Sequence, residues 1–227
     1  MTDYVPHFDG REMLMLHDSF RREFALLPGL VRGVATGDLE RAQVIAAHIT
    51  YVSTILHHHH HGEDAHVWPL LAERCAGECA PLVELMEGQH EDVARIGREI
   101  DDGLRAWAGA ATGPRKALTA ALVRLIPVLR GHLAAEEEHV VPLMEQYITA
   151  AEWNEIVEKE AADVDPASLP LGFGMLLYEG DPEVVDAAIA TMPQPVRPVI
   201  RELAAQAFAE HSRLVHGTAT PPRSTEL

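Results

Sequence analysis

The chain has 227 residues, 47% of them hydrophobic, enough for one large or two small domains with their own core. A formal net charge of −17 argues against nucleic acid or an anionic membrane as a direct partner, and no run approaches the roughly 18 apolar residues of a membrane span. The first residues, Met1 to Arg11, lack the basic start and apolar core of a secretory signal, and two cysteines, Cys75 and Cys79, make no disulfide framework, so a soluble cytoplasmic protein is expected.

Apolar residues recur at helical spacing, and no stretch alternates as a strand does. The first helix is expected from about Phe8 to Val34, with a bend near Pro28-Gly29, before Gly37 and Asp38 supply a stop and a cap. The second runs from Leu39 to about Arg74, bent or ended by Pro69. Pro81 opens a third helix lasting to about Ala108, and Thr112-Gly113-Pro114 opens a fourth that reaches Tyr147 with Pro127 inside it. Thr149 and Glu152 have the spacing of a capping box and begin a short helix to Ala161. After a linker at Asp165–Pro170, Leu171–Tyr178 and a segment capped by Asp181 form two more short helices, and Gln194–Val215 a last amphipathic one. The tail from Gly217, rich in Thr and Pro, reads as disordered. The expected architecture is all-α: an up-down four-helix bundle over residues 8–148, a helical extension over 149–216 and a disordered tail over 217–227.

Part of this chain repeats. A shift of 73 residues carries His59, Glu63, His66 and Pro69 onto His132, Glu136, His139 and Pro142, and the same shift carries Met13 and His17 onto Met86 and His90. In each copy the His and Glu are four apart, one turn along one helix face. Their neighbours on that stripe are apolar: Val52, Leu56, Val67 and Leu70 in the first copy, and Leu125, Leu129, Val140 and Leu143 in the second. Ionisable groups on a buried stripe are costly unless paired or bound to metal. Packed as a bundle, four such helices bring His17, His59, His90, His132, Glu63 and Glu136 to one point, a nitrogen and oxygen donor set suited to two divalent transition ions.

The pattern of a His on the first helix, His-x-x-x-Glu on the second, and both again on the third and fourth resembles the hemerythrin-like, or HHE cation-binding, family. Pro69 and Pro142, each six residues after a Glu, fit the same family habit. The resemblance covers roughly residues 8–148. It implies a four-helix bundle holding a non-haem diiron centre on His17, His59, Glu63, His90, His132 and Glu136, with manganese or zinc as other possible occupants. It also implies dioxygen, peroxide or nitric oxide as small ligands. Oxygen-carrying members have a fifth His on the third helix, where this chain has Ala94. His66 and His139 are the candidates for a replacement ligand or a nearby proton donor.

Three functions follow from the resemblance: binding or detoxifying oxygen species, with peroxidase-like activity among the options; sensing oxygen, nitric oxide or iron, with the C-terminal helices contacting a protein partner; or oxidising an organic substrate. Of the other residues, His57, His58, His60 and His61 are expected to form a solvated cluster, at most one or two of them facing inward. Asp64, Glu137 and Glu138 are expected on a solvated acidic face, and Cys75 and Cys79 as ordinary buried thiols. Arg21 is either a surface residue or a partner of a ligand carboxylate.

Overall fold

The computed structural model describes residues 5–75, 77, 79–107, 109–110, 112–162 and 164–227. Four long helices form the bundle: α1 (Arg11–Gly33), α2 (Leu39–Gly62), α4 (Ala80–Trp107) and α5 (Thr112–His139). Asp38 caps α2 by accepting from the Arg41 backbone amide at 3.0 Å, as its position before an apolar-periodic stretch predicts. α1 runs continuously through Pro28. The end of the third helix expected at Ala108 lies outside the described residues.

Both copies of the Pro motif interrupt their helix. In the first, Glu63–Val67 widens into a π turn and α3 (Trp68–Arg74) resumes with Pro69 in its opening turn, where a missing N–H costs nothing. In the second, α5 ends at His139 and α6 (Val141–Tyr147) restarts with Pro142 in its opening turn. The stretch Gly113–Tyr147 is, contrary to expectation, long and apolar enough by length and composition alone to cross a membrane. Its Leu118, Leu122, Leu125, Leu129 and Leu133 are buried in the bundle.

Two large apolar clusters lie along the bundle axis, and a small third one joins Met15 to Val184 and Val185. Of the large pair, one contains Phe20, Phe24, Val52, Leu56, Val93, Ile96, Leu129 and Leu133, and the other Met13, Val67, Trp68, Met86, Val140 and Met144. On every long helix the polar residues of the repeat fall between the two. A buried polar layer therefore separates two greasy ones.

The extension comprises α7 (Ala150–Ala162), α8 (Leu169–Leu177), α9 (Pro182–Thr191) and α10 (Arg197–His216). The capping box forms: the Thr149 amide donates to Glu152 Oε2 at 2.9 Å and the Glu152 amide to Thr149 Oγ1 at 3.2 Å. α8 and α10 dock on α1 through Arg22, a fully buried guanidinium that pairs with Glu179, donates to the Met175 carbonyl at 3.1 Å and lies against the Tyr178 and Phe208 rings.

Two expectations are corrected here. Residues 217–227 pack on α8: Tyr178 donates to the Pro221 carbonyl at 2.7 Å, and the Ser224 amide and hydroxyl donate to Glu179 Oε2, each at 2.9 Å. Composition favoured disorder, but Glu179 offers these donors a buried carboxylate as acceptor. Cys75 and Cys79 form a disulfide, with Cα atoms 5.6 Å apart. The turn between α3 and α4 brings them within the range a disulfide needs, which linear spacing alone does not reveal.

Candidate metal centre

The structure brings His17, His59, Glu63, His90, His132 and Glu136 together in the polar layer, and adds a seventh residue, His60. Two sets of donor atoms emerge: His17, His59 and Glu136 in one, and His60, Glu63, His90 and His132 in the other, the atoms of each lying within 4.8 Å of one another. All seven side chains are buried.

The carboxylates span the two sets. Glu63 turns Oε1 to His59 Nε2 at 3.4 Å and Oε2 to His90 Nε2 at 3.4 Å. Glu136 Oε2 lies 3.4 Å from His17 Nε2 and 3.6 Å from His132 Nε2. Both oxygens of each carboxylate, and Nε2 of His60, His90 and His132, have no hydrogen-bond partner. Nitrogen and oxygen ligands about 2.0–2.2 Å from one ion sit about 3.0–3.5 Å from each other. The spacing thus suits a shared cation better than direct hydrogen bonds. Leaving one such atom unpaired costs about 1–3 kcal/mol. Seven of them without a cation would consume much of an ordinary stability of about 5–15 kcal/mol.

The outer nitrogens are occupied. His17 Nδ1 lies 2.9 Å from Glu137 Oε1, His90 Nδ1 lies 2.8 Å from Asp64 Oδ1, and His132 Nδ1 lies 3.1 Å from Gln89 Oε1. Nδ1–H donated outward to an oxygen leaves the Nε2 lone pair facing the centre and fixes the ring's orientation. Arg21 is bound to Glu137 at 2.8 Å, and the Trp68 indole donates to Asp64 at 2.9 Å. Asp64 and Glu137 are therefore not merely a solvated acidic face, because each also orients an imidazole. They are related by the same 73-residue shift, and each serves the His of the other copy.

Burial controls the charges. It lowers His59 and His60 well below the usual histidine range, and it lowers His132 to about 3, with neighbouring imidazoles adding to the effect. Burial likewise pushes Glu63 up to about 8 and raises Glu136 well above the usual carboxyl range, the latter helped by the charge of Glu63. Glu137 is also partly desolvated, which opposes ionisation, yet hydrogen bonds from His17 and Arg21 hold it at about 2. Neutral imidazoles are what a metal requires, and the carboxyls must give up protons to take one.

His66 and His139 stay outside the cluster. His66 Nε2 lies 3.6 Å from Glu160 on α7, and His139 is half exposed beside Glu138. Ala94 is exposed, and the fifth imidazole of the cluster is His60, whose ring stacks on His90 with centroids 4.0 Å apart and planes 9° apart. Its sequence signal was the pair of adjacent histidines on α2: two rings about 100° apart can straddle the bundle axis.

Residues 11–156 match the family model described as the hemerythrin HHE cation-binding domain. Comparison with curated proteins and with solved structures returned no significant match.

Proposed function

The chain belongs to the hemerythrin family, whose domain binds metal, and on that premise we propose that its centre holds two iron ions and that the protein binds or reduces dioxygen, peroxide or nitric oxide. One observation carries the reading: five buried imidazoles and two carboxylates that span them converge, and seven of their inward atoms have no hydrogen-bond partner. Two ferrous ions in such a site supply electrons and an open coordination position to a small oxidant. The chain's own residues hold the ligand geometry and tune it. Glu63 and Glu136 keep the two donor sets close, while Asp64, Glu137 and Gln89 orient the imidazoles. Five imidazoles and two carboxylates cannot fill two octahedral shells, so room remains for a small ligand.

Neither of two surface cavities, one lined by Gly88, Glu91 and Arg95 and the other by Tyr51, Leu171 and Leu214, is lined by a residue of the cluster. A sensing role is supported by α1, which carries His17 toward the centre and Arg22 toward the extension.

The reading is tested by anaerobic titration with ferrous iron, followed by air. The expected result is two irons per chain, with near-ultraviolet and visible bands appearing on oxygenation. Bands reversed by removing oxygen indicate binding, and bands that decay to an oxidised form indicate turnover. A chain that holds no iron, or whose iron-loaded spectrum ignores oxygen, peroxide and nitric oxide alike, would overturn it.

A further inference from the structure

A second buried cluster of unpaired donors lies where the extension meets the bundle. Glu23 of α1 turns Oε2 toward two imidazoles at once: His48 Nε2 of α2 at 3.2 Å and His216 Nε2 of α10 at 3.5 Å. The three donor atoms lie within 4.8 Å of one another, and all three side chains are buried. Glu23 Oε2 and His48 Nε2 have no hydrogen-bond partner. We infer that Glu23, His48 and His216 form a second metal site, distinct from the bundle centre, that takes a single divalent transition ion such as zinc and fastens α10 to the bundle.

The donor chemistry supports this. Two imidazole nitrogens and a carboxylate oxygen are a zinc-type set, and three protein ligands leave a fourth tetrahedral position for water. A protonated imidazole paired with a carboxylate closes to about 2.7–2.9 Å. Here two imidazoles converge on one oxygen from the longer separations of a coordination edge.

The surroundings are also built for a cation. Arg22 pairs with both Glu23 and Glu179, two buried carboxylates, so one negative charge remains beyond what its guanidinium neutralises. Arg22 Nε holds Glu23 Oε1 at 2.9 Å, which leaves Oε2 for the ion. His48 Nδ1 lies 3.0 Å from His211 Nε2, and an Nδ1–H donated there fixes the His48 ring with Nε2 directed at Glu23. Arg41 binds the Leu214 and Val215 carbonyls, holding the end of α10 and with it His216. A surface cavity of about 640 Å³ is lined in part by His48, His211 and Val215, so it reaches one of the three ligands.

The test compares the full-length, iron-saturated wild type with His216→Gln and Glu23→Gln after zinc addition and dialysis, counting both metals by mass spectrometry. One zinc per chain in the wild type, absent from both variants at unchanged iron content, supports the site. A wild type that retains no zinc, or zinc equal in wild type and His216→Gln, overturns it. Should the variants fail to fold, cobalt(II) added to the iron-saturated wild type decides. One equivalent with the visible bands of a four-coordinate site supports the inference, and no such bands defeats it. The zinc comparison does not depend on the iron reading of the bundle centre, because the difference between wild type and variant is measured whatever metal the bundle holds, whereas the cobalt measurement requires the bundle centre to be filled first.

Discussion

His60 follows His59 directly, and the step of about 100° around α2 sends the two rings to opposite sides of Glu63. His59 faces His17, their Nε2 atoms 3.3 Å apart, while His60 stacks on His90. The repeat hides this, because a 73-residue shift carries His60 onto Leu133. One donor set therefore has three imidazoles and the other two, and the asymmetry rests on this single residue. On the two-iron reading proposed for the centre, His60→Ala should weaken one of the metals at least tenfold, the lower bound for losing even an outer partner of a ligand. Iron retained against a competing chelator should fall toward one per chain, while His66→Ala keeps the wild-type content. Equal retention in His60→Ala and wild type would remove His60 from the ligand set. The six residues of the repeat were legible because type and spacing both recur. His60 was not, because the feature that selects it is its angular position opposite α4, and four neighbouring histidines offered the same chemistry.

At the scale of elements, local signals set the boundaries and tertiary contacts set the exceptions. Asp38, Thr149 with Glu152, and Asp181 all cap as their spacing predicts, since a cap depends on neighbours two or three residues away. The disulfide and the packed tail were illegible because each depends on a partner that the turn or the extension brings near. The α8–α10 crossing is a contact of that kind. A Cβ on Gly174 would stand 2.2 Å from the Ala204 carbonyl oxygen and 2.8 Å from Phe208 Cβ, so the helices approach as closely as backbone permits. The obstacle is backbone and cannot swing aside. Gly174→Ala should therefore cost about 1–3 kcal/mol by overpacking, although alanine is the better helix former. Urea unfolding measures it: a midpoint equal to or above wild type would mean that α8 and α10 are not so closely apposed.

For the molecule as a whole, the buried centre makes stability depend on pH without metal in a way that bound metal removes. Without metal, His59, His60 and His132 have folded values below those of the unfolded chain. The unfolded state then binds more protons, and stability rises with pH until the unfolded histidines, centred near about 6.5, finish titrating at about pH 7.5. Glu63, at about 8, and Glu136, also raised, behave in reverse. Their folded forms hold protons that the unfolded chain has released, so their contribution is lost as pH rises through the folded values. Between about pH 7.5 and 9 only the raised carboxyls act among these five groups, and the metal-free protein should lose stability as pH rises. Bound metal replaces those protons, so the loaded protein should be flat over the same window. Tm of chelator-treated protein should fall steadily from about pH 7.5 to 9, and its gap from the loaded protein should widen by a matching amount. Glu63→Gln with Glu136→Gln, which carry no titrating proton, should remove the slope from the metal-free chain. A chelated wild type whose Tm holds or climbs across that window would show that the two carboxyls are already ionised without metal, and that the centre is preset for a cation by charge rather than by burial.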